Sequence, residues 1–212
     1  MHANIAGNAA DDTSGEERPP TFVALEDAGG DEVVAEWADP SEEGVLSSVL
    51  EACEEGNAST LEALLGRLSV GLDEKGEEGD TALHLACLYG HERCVETLLA
   101  RGASPSVQDG DGGTPLHDAS AGGYDNIIRM LLAAAQTQGD EALAACVGAQ
   151  DGDGEAPLHM AARGGHAGAV QQLLAAGARR DITSEAGLMP FHFATEGSDV
   201  EALVKCTVLP DA

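Results

Sequence analysis

The 212-residue sequence predicts an all-α repeat solenoid. Three observations carry that expectation. Four related tetrapeptides recur: TALH from Thr81, TPLH from Thr114, APLH from Ala156 and MPFH from Met189, at spacings of 33, 42 and 33 residues. The first three lead into a small-residue run and a glycine, in LACLYGH, DASAGGY and MAARGGH. An apolar helical pattern then follows in CVETLLARGA, IIRMLLAAA and AVQQLLAAGA. Units of two short helices cannot bury their own apolar faces, so neighbours must stack to make a core.

Taken in order, the elements read as follows. Val45–Leu68 has a two-helix pattern without the tetrapeptide and suits a capping unit over 45–75. Full units follow at 76–108, 109–150 and 151–183, and 184–212 forms a shortened closing unit. Thr81 and Thr114 stand where a side-chain oxygen can cap a first helix by accepting a backbone N–H. Pro115, Pro157 and Pro190 take the first helical position, where no donor is needed. Leu83, Leu116, Leu158 and Phe191 point into the stack. Ala86, Ala119, Ser120, Ala161 and Ala162 let helices approach closely. Gly90, Gly123 and Gly165 release the chain after the first helix. The pairs Leu98/Leu99, Leu131/Leu132 and Leu173/Leu174 bury the second helix.

The 42-residue spacing holds nine extra residues, in AAAQTQGDEALAACVGAQ (133–150). The preceding helix is expected to end near Gly139. DEALAACV then reads as a short added helix capped by Asp140, with Leu143, Cys146 and Val147 on one face. An apolar face needs burial, so the insertion is read as a spacer packed on its own repeat rather than as a binding element.

These motifs and their 33-residue period resemble the ankyrin-repeat family over residues 45–206. The resemblance implies stacked helix–turn–helix units with β-hairpin fingers. It implies further that His84, His117, His159 and His192 bond to their own turn and to the next repeat's backbone. A metal role for that row is disfavoured, because no cysteine or carboxylate completes a ligand set. DGDGG (Asp109–Gly113) and DGDGE (Asp151–Glu155) look like the start of a calcium loop, but Thr114 and Ala156 stand where its glycine belongs. They read as finger tips in which Asp-Gly supplies a tight turn.

Net charge is −28. Residues 1–44 hold 12 acidic groups against Arg18 alone, and the remainder holds 26 against 9. Such a field repels nucleic-acid backbones and anionic membranes and favours a basic protein partner. Residues 1–44 read as an acidic, disordered tail. VVAEWADP, around Trp37, is either linker or a short binding motif. The polar, acidic N-terminus carries no secretory core and the five cysteines form no CxxC pair, so a reducing cytoplasmic or nuclear setting is expected. No nucleophile elbow, phosphate loop or HExxH is present, and neither enzyme activity nor a cofactor is expected.

Ankyrin partners usually contact finger tips and exposed first-helix positions. Carried over repeat by repeat, those positions are Glu77, Glu78, Asp80, Leu88 and Tyr89, then Asp111, then Asp153, Glu155 and Arg163, then Glu185. The expected function is a monomeric, non-catalytic binding module: an adaptor or escort chaperone for a basic client of the histone or ribosomal-protein class. The alternative is a scaffold or inhibitory subunit docking on a folded kinase, protease or ubiquitin-ligase complex.

Overall fold

The computed structural model describes residues 24–26, 32–34, 42–68 and 71–205. The chain divides into two units, 1–40 and 41–212. In the first, β1 (Ala24–Glu26) pairs antiparallel with β2 (Glu32–Val34), Leu25 opposite Val33. These two strands, and Glu42–Gly44, which open a helix running to Glu54, are regular structure within the segment 1–44 expected to be a disordered tail; the rest of that segment, Trp37 included, lies outside the described residues.

In the second unit the described residues form ten α-helices: α1 (Glu42–Glu54), α2 (Ala58–Leu65), α3 (Ala82–Leu88), α4 (Glu92–Ala100), α5 (Pro115–Gly122), α6 (Asp125–Gln138), α7 (Asp140–Val147), α8 (Pro157–Gly164), α9 (Ala167–Ala175) and α10 (Asp199–Val204). A 3₁₀ turn at Pro190–His192 takes the place of the last first helix. Helices α1, α3, α5, α8 and this turn pack successively in one layer; α2, α4, α6, α9 and α10 pack successively in the other. This is the all-α repeat solenoid that the period requires.

Between the layers lies a continuous core. Leu83, Leu116 and Leu158 are buried from the first helices, and Leu61, Leu98, Ile127, Ile128, Leu131, Val170 and Leu173 from the second. Burying each such side chain contributes about 1.5–3 kcal/mol, and the small residues Ala86, Ala119 and Ala161 between them have no exposed surface. Leu99, Leu132, Leu174 and Phe191 are only partly buried, at the edge of this core. Gly123 and Gly165 leave their helices at φ 68° and 73°, left-handed values that favour glycine. Cys53, Cys87, Cys94 and Cys146 are buried free thiols. Burial pushes Cys53 up to about 12 and Cys146 up to about 11, which keeps them protonated fillers.

Two expectations change in detail. The added helix α7 is capped by Gly139, and Asp140 is its first residue. The Asp140 carboxylate instead accepts a hydrogen bond from Gln136 Nε2 at 2.6 Å, tying α7 to the end of α6. Cys146 and Val147 are buried, Leu143 packs against the same core, and α7 packs on α6 of its own repeat, while the Cys146 thiol also donates to Pro105 O of the preceding repeat at 3.7 Å. The fingers carry no described strand. Each is a tight turn closed by two backbone bonds: an outer one, Gly76 N to Asp80 O, Asp109 N to Gly113 O, Asp151 N to Glu155 O and Ser184 N to Leu188 O, at 2.8–2.9 Å, and an inner one, from Gly79, Gly112, Gly154 and Gly187 N back to the carbonyl oxygens of Gly76, Asp109, Asp151 and Ser184, at 2.9–3.4 Å. Too few residues flank each turn to build a ladder.

Candidate partner-binding face

The geometry of this face begins with the motif histidines. His117 Nδ1 lies 3.0 Å from the backbone N of Thr114, and its Nε2 lies 3.1 Å from the carbonyl oxygen of Glu155 in the next repeat. His159 does the same with Ala156 N (3.0 Å) and Leu188 O (3.1 Å). His84 spans Thr81 N and Gly113 O, each at 3.4 Å. An amide N–H can only donate and a carbonyl can only accept. The proton therefore sits on Nε2, and each ring is neutral. Burial holds all three imidazoles below their usual range, consistent with that assignment. His192 keeps the first bond, from Met189 N at 2.9 Å.

The threonines act differently from a simple cap. The hydroxyls of Thr81 and Thr114 lie 2.9 Å from histidine Nδ1 and donate to it, reinforcing the bond that the backbone makes. The histidine is the element common to all four turns, which is why Ala156 and Met189 can replace threonine.

Carboxylates then shape the finger tips. Asp109 Oδ1 accepts from the N–H groups of Asp111 and Gly113, both at 2.8 Å. Asp151 Oδ1 accepts from Asp153 (3.0 Å) and Glu155 (2.8 Å). These oxygens are spent on their own turns. Successive fingers also touch, through Gly152 N to Asp111 O (2.7 Å) and Glu185 N to Asp153 O (2.8 Å). A side chain at Gly152 would collide with that Asp111 oxygen, its Cβ only 2.8 Å away. The contacts set the tip carboxylates at fixed steps along one edge.

Glu77, Glu78, Asp111, Asp153 and Glu185 are exposed on that edge. Asp80 is half-buried; burial pushes its carboxyl up, opposed by His84 and assisted by Asp109, Glu78 and Asp111. Leu88 and Tyr89 are exposed, each at 46%. The Tyr89 hydroxyl donates to Glu54 Oε1 at 3.2 Å, and its ring stacks on His91 with centroids 6.2 Å apart. Glu155 departs from the expected row. It is 93% buried and bonded to Arg163, which also lies 4.5 Å from the centre of the Phe193 ring. Arg163 can reach back from the same repeat, so this carboxylate is drawn under it and away from the tips.

One acidic residue escapes a reading based on exposed positions. Asp118 lines a groove of about 520 Å³ with Asp109, Asp111, Asp151 and Asp153. Burial pushes its carboxyl up to about 8, with Asp109 and Asp80 adding. The available signal is positional: the residue after the motif histidine is Leu85, Asp118, Met160 and Phe193 in turn, apolar in every case but one.

No described helix is long and apolar enough to cross a membrane. Residues 49–144 match the family model for three copies of ankyrin repeats, and residues 153–185 match the single ankyrin repeat model. The chain is similar to the target of rapamycin complex 2 subunit AVO2 of Saccharomyces cerevisiae, 34% identical over 77 residues, covering 36% of this chain and 18% of that protein. It is similar to the ankyrin repeat domain-containing protein SAT10 of Stachybotrys chartarum, 33% identical over 114 residues, covering 51% and 6%. It is also similar to the SMC5-SMC6 complex localization factor protein 1 of Bos taurus, 38% identical over 84 residues, covering 38% and 8%. The matched segment is thus less than a fifth of each relative's own length. The stacked two-layer helices, the histidine bridges from turn to turn and these matches lead to one conclusion: the chain belongs to the ankyrin-repeat family.

Proposed function

We propose that this protein–protein interaction module is an adaptor or escort for a basic client, held as an extended segment along the fingers. The observation that supports this most is the edge of exposed Glu77, Glu78, Asp111, Asp153 and Glu185 in a chain of net charge −28. Exposed ion pairs contribute about 0–1 kcal/mol each, so the row acts collectively, through association rate and choice of partner. Tyr89, oriented by Glu54 and His91, supplies an aromatic anchor beside the first finger. Histones and ribosomal proteins have the charge that this edge complements. The protein acts as a monomer in the cytoplasm or nucleus, where its thiols stay reduced.

A second reading has support from two relatives named as a complex subunit and a complex localization factor. In it the module is a scaffold on a folded enzyme assembly. Affinity purification with mass spectrometry, washed at low and at high salt, separates the two. A basic client is released as salt screens the row. A partner set without basic enrichment that survives high salt would instead favour the scaffold.

A further inference from the structure

The described residues expose three large hydrophobic side chains, Leu88, Tyr89 and Leu188. Two of them are neighbours, standing just before Gly90, which follows the first helix of its repeat at φ 76°. Before the matching glycines Gly56, Gly123 and Gly165, the same two positions hold Glu54 and Glu55, Ala121 and Gly122, and Arg163 and Gly164. Along this row of helix ends the chemistry runs from acidic to apolar, then to small, then to cationic.

The apolar pair is held in place. Tyr89 is fixed by its bond to Glu54 and its stacking on His91, and His91 Nε2 is itself anchored 2.9 Å from Glu54 O. On one side, the Tyr124 ring fills the space that a Cβ at Gly122 would take. Ala121 and Gly122 are exposed and form a low shelf beside Leu88 and Tyr89. On the other side stand carboxylates: Glu54 first, then Glu78 and Asp80, hold the Tyr89 hydroxyl above its usual range. The ion pairs among the described residues are Arg163–Glu155, Arg179–Asp181 and Lys205–Glu201, and none of them neutralises these groups. A lone exposed leucine is ordinary. A leucine beside a fixed aromatic ring is the kind of anchor that concentrates binding energy. A wholly apolar partner would strip water from the surrounding carboxylates with nothing in return, whereas a cation next to the apolar group compensates them.

We propose that Leu88 and Tyr89 are the seat for one leucine-like side chain of the client, lying over the shelf of Ala121 and Gly122 while an adjacent lysine or arginine of the client faces Glu54 and Glu55. The proposal rests on the basic-client reading and deepens it: the module selects an apolar side chain next to a cation, and charge alone does not satisfy it. Arg163, two repeats further along the row, repels cations there, so those of the client lie on the α1 side of the seat.

The test is fluorescence anisotropy with a labelled lysine–glycine peptide carrying one central leucine and with the same peptide carrying serine instead. The proteins are the wild type, Leu88→Ala, Tyr89→Ala and Leu188→Ala, the last removing an exposed leucine from the final finger. Leu88→Ala copies the residue found at Ala121, so it is expected to fold, and thermal melts verify this for all three. The wild type should prefer the leucine peptide by about fivefold or more. Leu88→Ala and Tyr89→Ala should cut that preference below about twofold and leave binding of the serine peptide unchanged, while Leu188→Ala keeps the preference. If the wild type binds the two peptides alike, or if only Leu188→Ala loses the preference, the seat is wrong and the acidic edge stands. If the wild type binds neither peptide, the basic-client reading falls and takes the seat with it.

Discussion

His117 is bonded at both ring nitrogens, one to its own turn and one to the next repeat, and the residues around it decide how stability responds to substitution and to pH. Thr114 adds a hydroxyl to that arrangement, and Ala156 lacks one at the equivalent position. Ala156→Thr should therefore stabilise the protein by about 0.5–1.5 kcal/mol, the value of one added hydrogen bond to His159. Urea melts measure it, and a destabilised variant would mean that the buried site has no room for the hydroxyl. Asp118 gives a second prediction. The fold holds its proton up to about 8, whereas the unfolded chain releases it in the ordinary carboxylate range. Between those limits the native state binds more protons, so the contribution of this group falls as pH rises and levels off above about 8. The buried histidines oppose it: held low in the fold, they contribute fully above the unfolded imidazole range and lose that contribution as pH falls through it. Asp118→Asn removes the first effect alone. Its gain in melting temperature should be larger at about pH 8.5 than at about pH 4.5; an equal gain at both would show that Asp118 is already ionised in the fold.

At the scale of elements, α7 shows both what was legible and what was not. The surplus of nine residues and the pattern of Leu143, Cys146 and Val147 announced a helix with one buried face, and α7 is that helix. Its cap was not legible, because Gly139 and Asp140 are both residues that begin helices and the choice depended on Gln136, one turn earlier in α6. If α7 is a spacer, Val147→Ala should cost roughly 1–3 kcal/mol through the cavity that it leaves. Ala145→Glu, on the exposed side, should change neither stability nor client capture. A loss of capture with unchanged stability would make α7 a binding element. The fingers teach a related lesson. Asp109 and Asp151 look alike in the sequence and do the same work, whereas Glu155 was indistinguishable from a tip residue. Its burial depends on Arg163, eight positions away along the chain and adjacent only once the turn and α8 have formed.

For the whole molecule, the repeat period carried the fold, because a stacking unit must return to the same register each time to bury Leu83, Leu116 and Leu158 in line. Function was less legible. Exposure of the tips follows from that register, but the groove at Asp118 exists only where two fingers and two first helices meet, and no single repeat contains it. The central claim is that the row of exposed carboxylates selects a basic client. The most direct measurement takes the client captured by affinity purification and determines its Kd, as a function of ionic strength, for the wild type and for a variant with Glu77, Glu78, Asp111, Asp153 and Glu185 changed to Ser. Glu155 stays, since it holds Arg163. The wild type should bind more tightly at low salt and weaken steeply as salt rises, while the variant binds weakly with a shallow dependence. Equal affinities and equal salt dependence in two folded proteins would contradict the claim and leave the row as a charged, solvated edge.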